Sequence, residues 1–191
     1  MKKIRNFKVN LRVREIARVI KKLINAPEMS VETEESVQRA CHFYSKFITP
    51  SVVYDTFSKE NMPFVYEKDA PSKWVAQSVF FVTIGTALEE AFKKNEKAFG
   101  DHSNTIVSAI AVDGLEQAKN FTQRLVSGEA EDENCDISRG TDLPSDLYEE
   151  AAKIIPIDKI DVSIHDGKLV PQYSNCGLFY WIPSKKKNKG K

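Results

Sequence analysis

The sequence has few cysteines and no arrangement of them that forms a familiar site. Only Cys41, Cys135 and Cys176 occur among its 191 residues. No two of them form a C-x-x-C pair, which excludes a disulfide framework and the usual zinc patterns. An iron–sulfur cluster held by this chain alone normally needs four thiolates, so that site is excluded as well. Cysteine use of this kind is typical of a reducing compartment, and we expect a cytoplasmic location.

The sequence also lacks a long apolar run and an excess of either charge. No apolar run approaches the roughly 18–20 residues of a membrane helix, and Arg12, Arg14 and Arg18 interrupt the stretch where a signal peptide would have its apolar core. Lys plus Arg total 28 and Asp plus Glu total 27, whereas proteins that coat nucleic acid carry a strong basic excess. We therefore expect neither a membrane nor a nucleic acid as partner.

The sequence does contain the material for a folded core. Hydrophobic residues make up 41%, including 11 Phe, 6 Tyr and 2 Trp, which argues against a globally disordered chain. The length fits one domain, predicted at residues 1–183. Residues 184–191 contain five lysines and no acid, and we predict that they form a disordered basic tail.

The balanced total charge hides two local fields of opposite sign. Residues 1–22 contain nine Lys or Arg against Glu15 alone, and residues 129–150 contain nine Asp or Glu against Arg139 alone. Such fields can steer a charged partner towards the protein. The alternative is that both are ordinary solvated surface.

Hydrophobic periodicity predicts mixed helices and strands. Alternation predicts a strand at Phe7–Leu11, and β-branched and aromatic residues predict strands at Ser51–Phe57 and at Val75–Ile84, the last buried on both faces. Because strands and helices are grouped rather than alternating, the pattern favours an α+β fold. Helices are predicted from Val13 to a stop at Asn25–Pro27, at Val31–Phe47, after Gly85, through Ile106 to Leu125, and from Ser145 to Ile154. Inside the fourth of these helices we expect Gly114 to be closely packed or to contact a ligand. The other predictions are a polar loop at Ser127–Pro144, a turn at Asp166–Gly167 and a strand at Leu178–Ile182.

The order of motifs in the second half resembles that of one known family. The segment FFVTIG precedes an amphipathic helix, the long helix contains SAIAVDGLEQA, and a loop ending in ISRG leads to IDVSIHDGKLVPQYSNCGLFYW. This order resembles the activation (reactivation) domain of cobalamin-dependent methionine synthase, and more closely its small standalone relatives, over about residues 4–182. The resemblance implies an α+β domain with a twisted antiparallel sheet and flanking helices.

The resemblance also implies a role in corrinoid-dependent methyl transfer. In that family the domain binds S-adenosylmethionine and docks on a cobalamin domain. A flavodoxin-like donor reduces the inactive cobalt there, and the methyl group of S-adenosylmethionine traps the reduced form. The corrinoid signature D-x-H-x-x-G is not satisfied around His165, so we expect cobalamin only through a partner, either a corrinoid-binding protein or a methyltransferase.

The family's S-adenosylmethionine signature, R-x-x-x-G-Y-P-A-C-P, is altered in this sequence. Aligning its glycine with Gly140 puts Asp136 at the arginine and Thr141 at the tyrosine. An arginine clamps a carboxylate in a bidentate fork, whereas an aspartate repels it. Arg139 is three residues away and is the candidate substitute.

Other expected cofactor contacts come from the long helix and from the start of the last strand. The family's long-helix acid falls at Glu116, or one residue later at Gln117, and would hold the sulfonium or amino end of the ligand. The P-x-x-S-x-x-G segment supplies further contacts, and an aromatic side chain beside it could stack on the adenine. We expect no catalytic residue and no metal ligand. The candidate cofactor-binding residues are Glu116, Asp136, Arg139, Gly140, Thr141, Tyr173, Ser174 and Gly177.

Two functional hypotheses remain open at this point. The chain is either a reactivation domain that uses S-adenosylmethionine to restore the cobalt of a partner methyltransferase, or a non-catalytic relative that has lost the ligand and docks on a corrinoid protein. The altered signature at Asp136 and Thr141 favours the second hypothesis.

Overall fold

A central antiparallel sheet organises the fold. The structure is a computed structural model, which describes residues 1–25, 30–64, 66 and 70–184. Within these residues six strands form one sheet in the order β1-β2-β3-β8-β4, with β5 also paired to β8, and β6 and β7 form a separate hairpin. The strands are β1 (Lys2–Arg5), β2 (Ser51–Ser58), β3 (Ala76–Thr83), β4 (Cys135–Ile137), β5 (Thr141–Asp142), β6 (Ser163–His165), β7 (Lys168–Val170) and β8 (Ser174–Pro183).

Four of the helices pack on one face of this sheet, and the fifth helix and the hairpin pack on the other. The helices are α1 (Val13–Leu23), α2 (Val31–Tyr44), α3 (Ala87–Lys93), α4 (Ser103–Asp132) and α5 (Tyr148–Ile154). Successive residues of a strand point to opposite faces, and in β3 Phe80 and Val82 join the core under α1, α2 and α4. Val79 and Phe81 join the second core, which includes residues of α5 and the hairpin. Burial of β3 on both faces and the α+β fold class are thus confirmed.

Two sequence signals of local geometry are also confirmed. Asp166 and Gly167 both have positive φ, 50° and 71°, as the tight turn between β6 and β7 requires. A Cβ added at Gly114 would lie 3.2 Å from Cδ1 of Ile48, so the close packing expected inside the long helix is present.

The predicted strand at Phe7–Leu11 is wrong, because this segment pairs with no described strand. The strand that does pair is β1, whose Arg5 lies opposite Ser51 in β2. Asn6 then adopts φ 55°, a left-handed conformation that turns the chain away from β2. The alternating burial that motivated the prediction is present, since Phe7 is half-buried and Lys8 is exposed.

The predicted polar loop at Ser127–Pro144 is also wrong over most of its length. Helix α4 continues to Asp132, and β4 and β5 follow. The reason is that Val126 and Ala130 are fully buried and extend the apolar face of the helix while its acids lie in solvent. Ser145 begins a 3-10 turn rather than capping α5, which starts at Tyr148.

Parts of two predictions fall outside the described residues. Pro27, in the predicted helix stop, is one of them, although α1 does end at Leu23. Ser184 is the last described residue, and its backbone N–H donates a hydrogen bond to the carbonyl of Asn134 at 3.0 Å. The rest of the predicted tail, 185–191, lies outside the described residues, and the single domain at 1–183 stays a prediction.

Candidate functional site

The segment that should contain the cofactor signature forms an interrupted edge strand. Both β4 and β5 pair with the same edge of β8. Between Ile137 and Thr141 the chain advances four residues, but the partner strand advances only three, from Trp181 to Leu178. One extra residue is therefore inserted opposite Phe179. Such an insertion is a β-bulge, a feature over-represented at sheet edges and beside active sites.

The bulge contains two of the candidate residues, Arg139 and Gly140. Ser138 fixes its start, because the Ser138 backbone N–H donates to the carbonyl of Tyr180 at 2.8 Å and the Ser138 hydroxyl accepts from the Tyr180 N–H at 3.0 Å. Leu143 fixes its end through a backbone hydrogen bond of 3.0 Å to β8. The guanidinium-bearing Arg139 is exposed, as a group that receives a ligand from solvent must be.

Glycines allow the bulge to lie against aromatic rings. A Cβ at Gly140 would lie 2.8 Å from Cε1 of Phe179. A Cβ at Gly177 would lie 2.7 Å from Cζ of Phe80 and 2.8 Å from the backbone oxygen of Thr141. We expected a ligand close to Gly140, but a core ring already fills the space that a side chain would take. Glycine at these positions is what allows β5 to approach β8.

The edge strand presents its candidate residues to both faces of the sheet. Directly paired residues share a face, and Asp136 lies opposite Ile182 whereas Thr141 lies opposite Leu178. Leu178 belongs to the core remote from α4, so Thr141 shares that face. Asp142 is displaced to the side of α4, where its Oδ1 lies 2.5 Å from Nζ of Lys119.

Glu116 lies on α4 one turn before Lys119, and it already has a cationic partner. The Arg12 guanidinium lies 2.8 Å from Oε2 of Glu116 and 2.7 Å from Oδ1 of Asp113. The Arg12 backbone N–H also donates to Oδ2 of Asp113 at 2.9 Å. The hydrogen bond to Asp113 raises the pKa of Arg12, whereas burial lowers it by a smaller amount. Sequence reasoning missed Arg12, Asp113 and Lys119, because no local pattern distinguishes them from other surface charges.

Polar groups lie at the start of β8 and at Tyr173, the residue before it. The Ser174 hydroxyl donates to Oγ1 of Thr83 at 2.9 Å, and the carbonyl of Tyr173 accepts the Ile84 N–H at 3.2 Å. The Tyr173 side chain packs against the core under the helices. Oδ1 of Asn175 is buried and accepts no hydrogen bond from any described residue.

The structure therefore groups some candidates and separates others. Arg139, Gly140 and Thr141 adjoin Gly177 at the bulge, and the ion pair of Lys119 with Asp142 joins this edge to α4. Asp136, Thr141 and Ser174 do not belong to the α4 side. On that side Lys119 contacts Asp142, and Glu116 lies one helical turn before Lys119 on α4.

All three cysteines are buried and free. Burial, with a smaller contribution from Asp113, raises the pKa of the Cys41 thiol from 9.0 to about 12. Burial also raises the pKa of Cys176 well above its usual value. Burial also raises the pKa of the Cys135 thiol, and the nearby carboxylates of Glu133 and Asp136 raise it further by a smaller amount. None of these thiols is poised as a nucleophile.

We predict that the cysteines are inert in the folded chain and that stability falls at high pH. At about pH 8, the thiol reagent DTNB should label the folded protein roughly 100-fold more slowly than the unfolded protein, because the reactive thiolate is both scarce and shielded.

The unfolded Cys41 thiol ionises near 9.0 and the folded one near 12. The protonated Cys41 thiol therefore stabilises the folded state fully below pH 9.0, and this stabilisation is lost as the pH rises from 9.0 towards about 12. Urea midpoints on both sides of pH 9 measure this loss, and Cys41→Ala should reduce it.

Neither a membrane helix nor a metal cluster is found in the described part of the chain. No helix there is both long and apolar enough to cross a bilayer. No group of three or more His, Cys, Asp or Glu side chains is arranged there to hold a metal ion.

Among solved structures, the fold is similar to one described as the MetH reactivation domain bound to AdoHcy (S-adenosylhomocysteine). The TM-score is 0.61, the sequence identity is 12%, and the match covers 97% of this chain and 80% of that one. No family model matches the sequence, and no curated protein matches it significantly. The structural likeness confirms the fold expected from the order of the motifs: an antiparallel sheet with flanking helices, like that of the methionine synthase activation domain.

Proposed function

We propose that this chain is an accessory domain of corrinoid-dependent methyl transfer that binds S-adenosylmethionine, or its product S-adenosylhomocysteine, at the bulge. One observation supports the proposal above the others. The chain shares its fold with a domain bound to AdoHcy, and its β-bulge falls at Arg139–Gly140, within the segment where the family has its ligand signature.

The residues at the bulge have the chemistry that the ligand needs. The guanidinium of Arg139 is exposed and can form a fork with the ligand carboxylate. On the side of α4, the exposed carboxylates of Glu116 and Asp142 offer acceptors for the ammonium group and the ribose hydroxyls. The set fits a molecule with one carboxylate and several donors.

The role of the chain in the reaction is to bind and orient. When bound, S-adenosylmethionine supplies a methyl group at its positive sulfonium. Glu116 and Asp142 would stabilise that charge, and Arg139 would fix the opposite end of the amino acid moiety, so that the methyl group is held in one direction. The cobalt, and the electron from a flavodoxin-like donor, would come from partner proteins, with this chain acting as a reactivation domain in the cytoplasm.

We predict that Arg139 dominates affinity for the carboxylate end. In calorimetric titrations with S-adenosylmethionine and with S-adenosylhomocysteine, Arg139→Met should raise Kd about tenfold or more, as expected for loss of a charge-assisted fork. Asp136→Asn should leave Kd unchanged or lower it, because a repelling charge is removed. Arg14→Met, which removes an exposed arginine on α1, is the matched control and should change nothing. An equal effect of the Arg139 and Arg14 substitutions would contradict the assignment.

A second candidate function is supported by the ion pairs of the site. Glu116 is already paired with Arg12 and Asp142 with Lys119, and Asp136 occupies the position of the family's arginine. These features suit a relative that has lost the ligand and acts as a docking partner of a corrinoid protein.

Two titrations separate the two candidates. Heat on addition of S-adenosylmethionine that falls sharply in Arg139→Met, but not in Arg14→Met, supports the ligand-binding function. Absence of that heat, together with saturable binding to a purified cob(II)alamin-loaded methyltransferase, supports the docking function. Binding in neither titration would exclude both functions.

A further inference from the structure

An extended segment next to the first helix has no partner in the sheet. Side-chain burial alternates from Phe7 to Leu11, with Lys8 and Asn10 exposed, as in a strand with one face on the core. The backbone N–H and C=O groups of residues 8–11 form no hydrogen bond with any other described residue. The segment thus has the side-chain burial pattern of a strand with one apolar face, and its backbone is unpaired.

Both ends of this segment are anchored on α4. At one end the ring of Phe7 stacks on Phe121, with centroids 4.0 Å apart and planes inclined by 12°. At the other end the Arg12 backbone N–H and guanidinium hold the carboxylate of Asp113. A partner strand would therefore meet a backbone that is already ordered, which reduces the entropic cost of pairing.

A groove of about 580 Å³ runs between this segment and α2. Lys8 lines one wall, and the opposite wall contains His42 of α2 and Lys46, two residues after the end of α2, while Cys41 and Ile48 give the groove apolar surface. No Asp or Glu is among the described residues that line it. The groove therefore offers an unpaired backbone edge, apolar surface and positive charge together.

We propose that an acidic, extended peptide segment of a partner protein adds to residues 8–11 as a β-strand in this groove. Strand addition satisfies the exposed backbone groups, and alternate acidic side chains would meet Lys8 and Lys46 while the others meet the apolar surface. The basic C-terminal residues of this chain are excluded as occupant by like charge. Four residues of strand span about 13 Å. This inference does not depend on the proposed methyl-transfer function.

The test uses hexapeptides with alternating residue types and amide NMR of the whole chain. The probe is an acetylated, amidated peptide alternating glutamate and valine. One control peptide has the same sequence with alternate backbone nitrogens methylated, which removes donors but no charge. The other control alternates lysine and valine. The acidic probe should shift the amide signals of residues 8–11 saturably and slow their hydrogen exchange about tenfold or more, and neither control should do so.

Variants of the chain test the contributions of charge and backbone separately. Lys8→Glu combined with Lys46→Glu should raise Kd for the acidic probe about tenfold or more and allow the lysine–valine peptide to bind. Lys22→Glu combined with Lys94→Glu makes the same change of charge at exposed sites that do not line the groove, and Kd should change far less. Val9→Pro removes one backbone donor and should weaken binding while leaving the thermal unfolding temperature nearly unchanged.

Three results would overturn the proposal. Equal binding of the methylated peptide would mean that charge alone attracts the ligand. Equal effects of the two charge-reversal pairs would mean that the field of the whole protein is responsible. Absence of any saturable shift in residues 8–11 up to millimolar peptide would show that the groove does not accept a strand of this chemistry.

Discussion

Gly177→Ala is expected to lower the free energy of unfolding by about 2–3 kcal/mol, a large loss for the addition of one methyl group. The new Cβ would lie 2.7 Å from Cζ of Phe80 and 2.8 Å from the backbone oxygen of Thr141. The ring can move only by disturbing its stacking on Phe179, whose centroid is 5.0 Å away. The carbonyl can move only if β5 separates from β8. Urea unfolding followed by circular dichroism measures the loss.

A second glycine provides the matched control for this substitution. Gly128 lies in α4, and nothing lies within 4 Å of the place where its Cβ would be. Gly128→Ala should therefore raise stability by up to about 1 kcal/mol through helix propensity. Phe80→Leu should partly relieve Gly177→Ala in the double variant, leaving the contact with Thr141. A Gly177→Ala protein as stable as the parent would mean that β5 does not lie where the structure has it.

Arg12→Met is expected to destabilise the chain by about 2–4 kcal/mol. It removes both guanidinium contacts of Asp113, whose side chain is only 6% exposed. The buried carboxylate would retain the Arg12 backbone N–H at 2.9 Å but no cation. Stranding one member of a buried pair costs about 3–5 kcal/mol, and the 40% exposure of the Arg12 side chain reduces that value. Chemical unfolding at neutral pH measures the change.

The same pair can be tested for coupling. Arg12→Met combined with Asp113→Asn removes both charges, and it should be more stable than Arg12→Met alone, because a neutral amide is less costly to bury. Arg12→Lys keeps the charge but not the planar fork, so it should fall between the parent and Arg12→Met. A cost below about 1 kcal/mol for Arg12→Met would show that Asp113 is well solvated without its partner.

Local periodicity was sufficient to predict most elements of this fold. Helix α1 and strand β3 were recognised because their buried residues recur at the helical and the strand period. The same reasoning missed β4, which has only three residues with an exposed acid between two apolar side chains. It also predicted a strand at Phe7–Leu11 because alternation reports burial of one face and not the presence of a partner strand.

The arrangement of the candidate site depends on contacts between distant parts of the sequence. The bulge opposite Phe179 is set by the register between β4, β5 and β8, and no pattern within either segment encodes that register. Arg12 and Glu116 are 104 positions apart in the sequence. The sequence therefore shows no sign that Glu116, which is predicted to contact the ligand, is paired with an arginine. The position of the bulge could be anticipated only from the order of the motifs.

The central claim is that the bulge at Arg139–Gly140 holds an S-adenosyl ligand on the side of α4. The most direct measurement is amide NMR of the full chain during titration with S-adenosylhomocysteine. We predict saturable shifts concentrated in residues 138–142, in Asn175, and in α4 around Glu116 and Lys119. Shifts confined to α1 or to the β6–β7 hairpin, or the absence of saturable shifts, would contradict the claim.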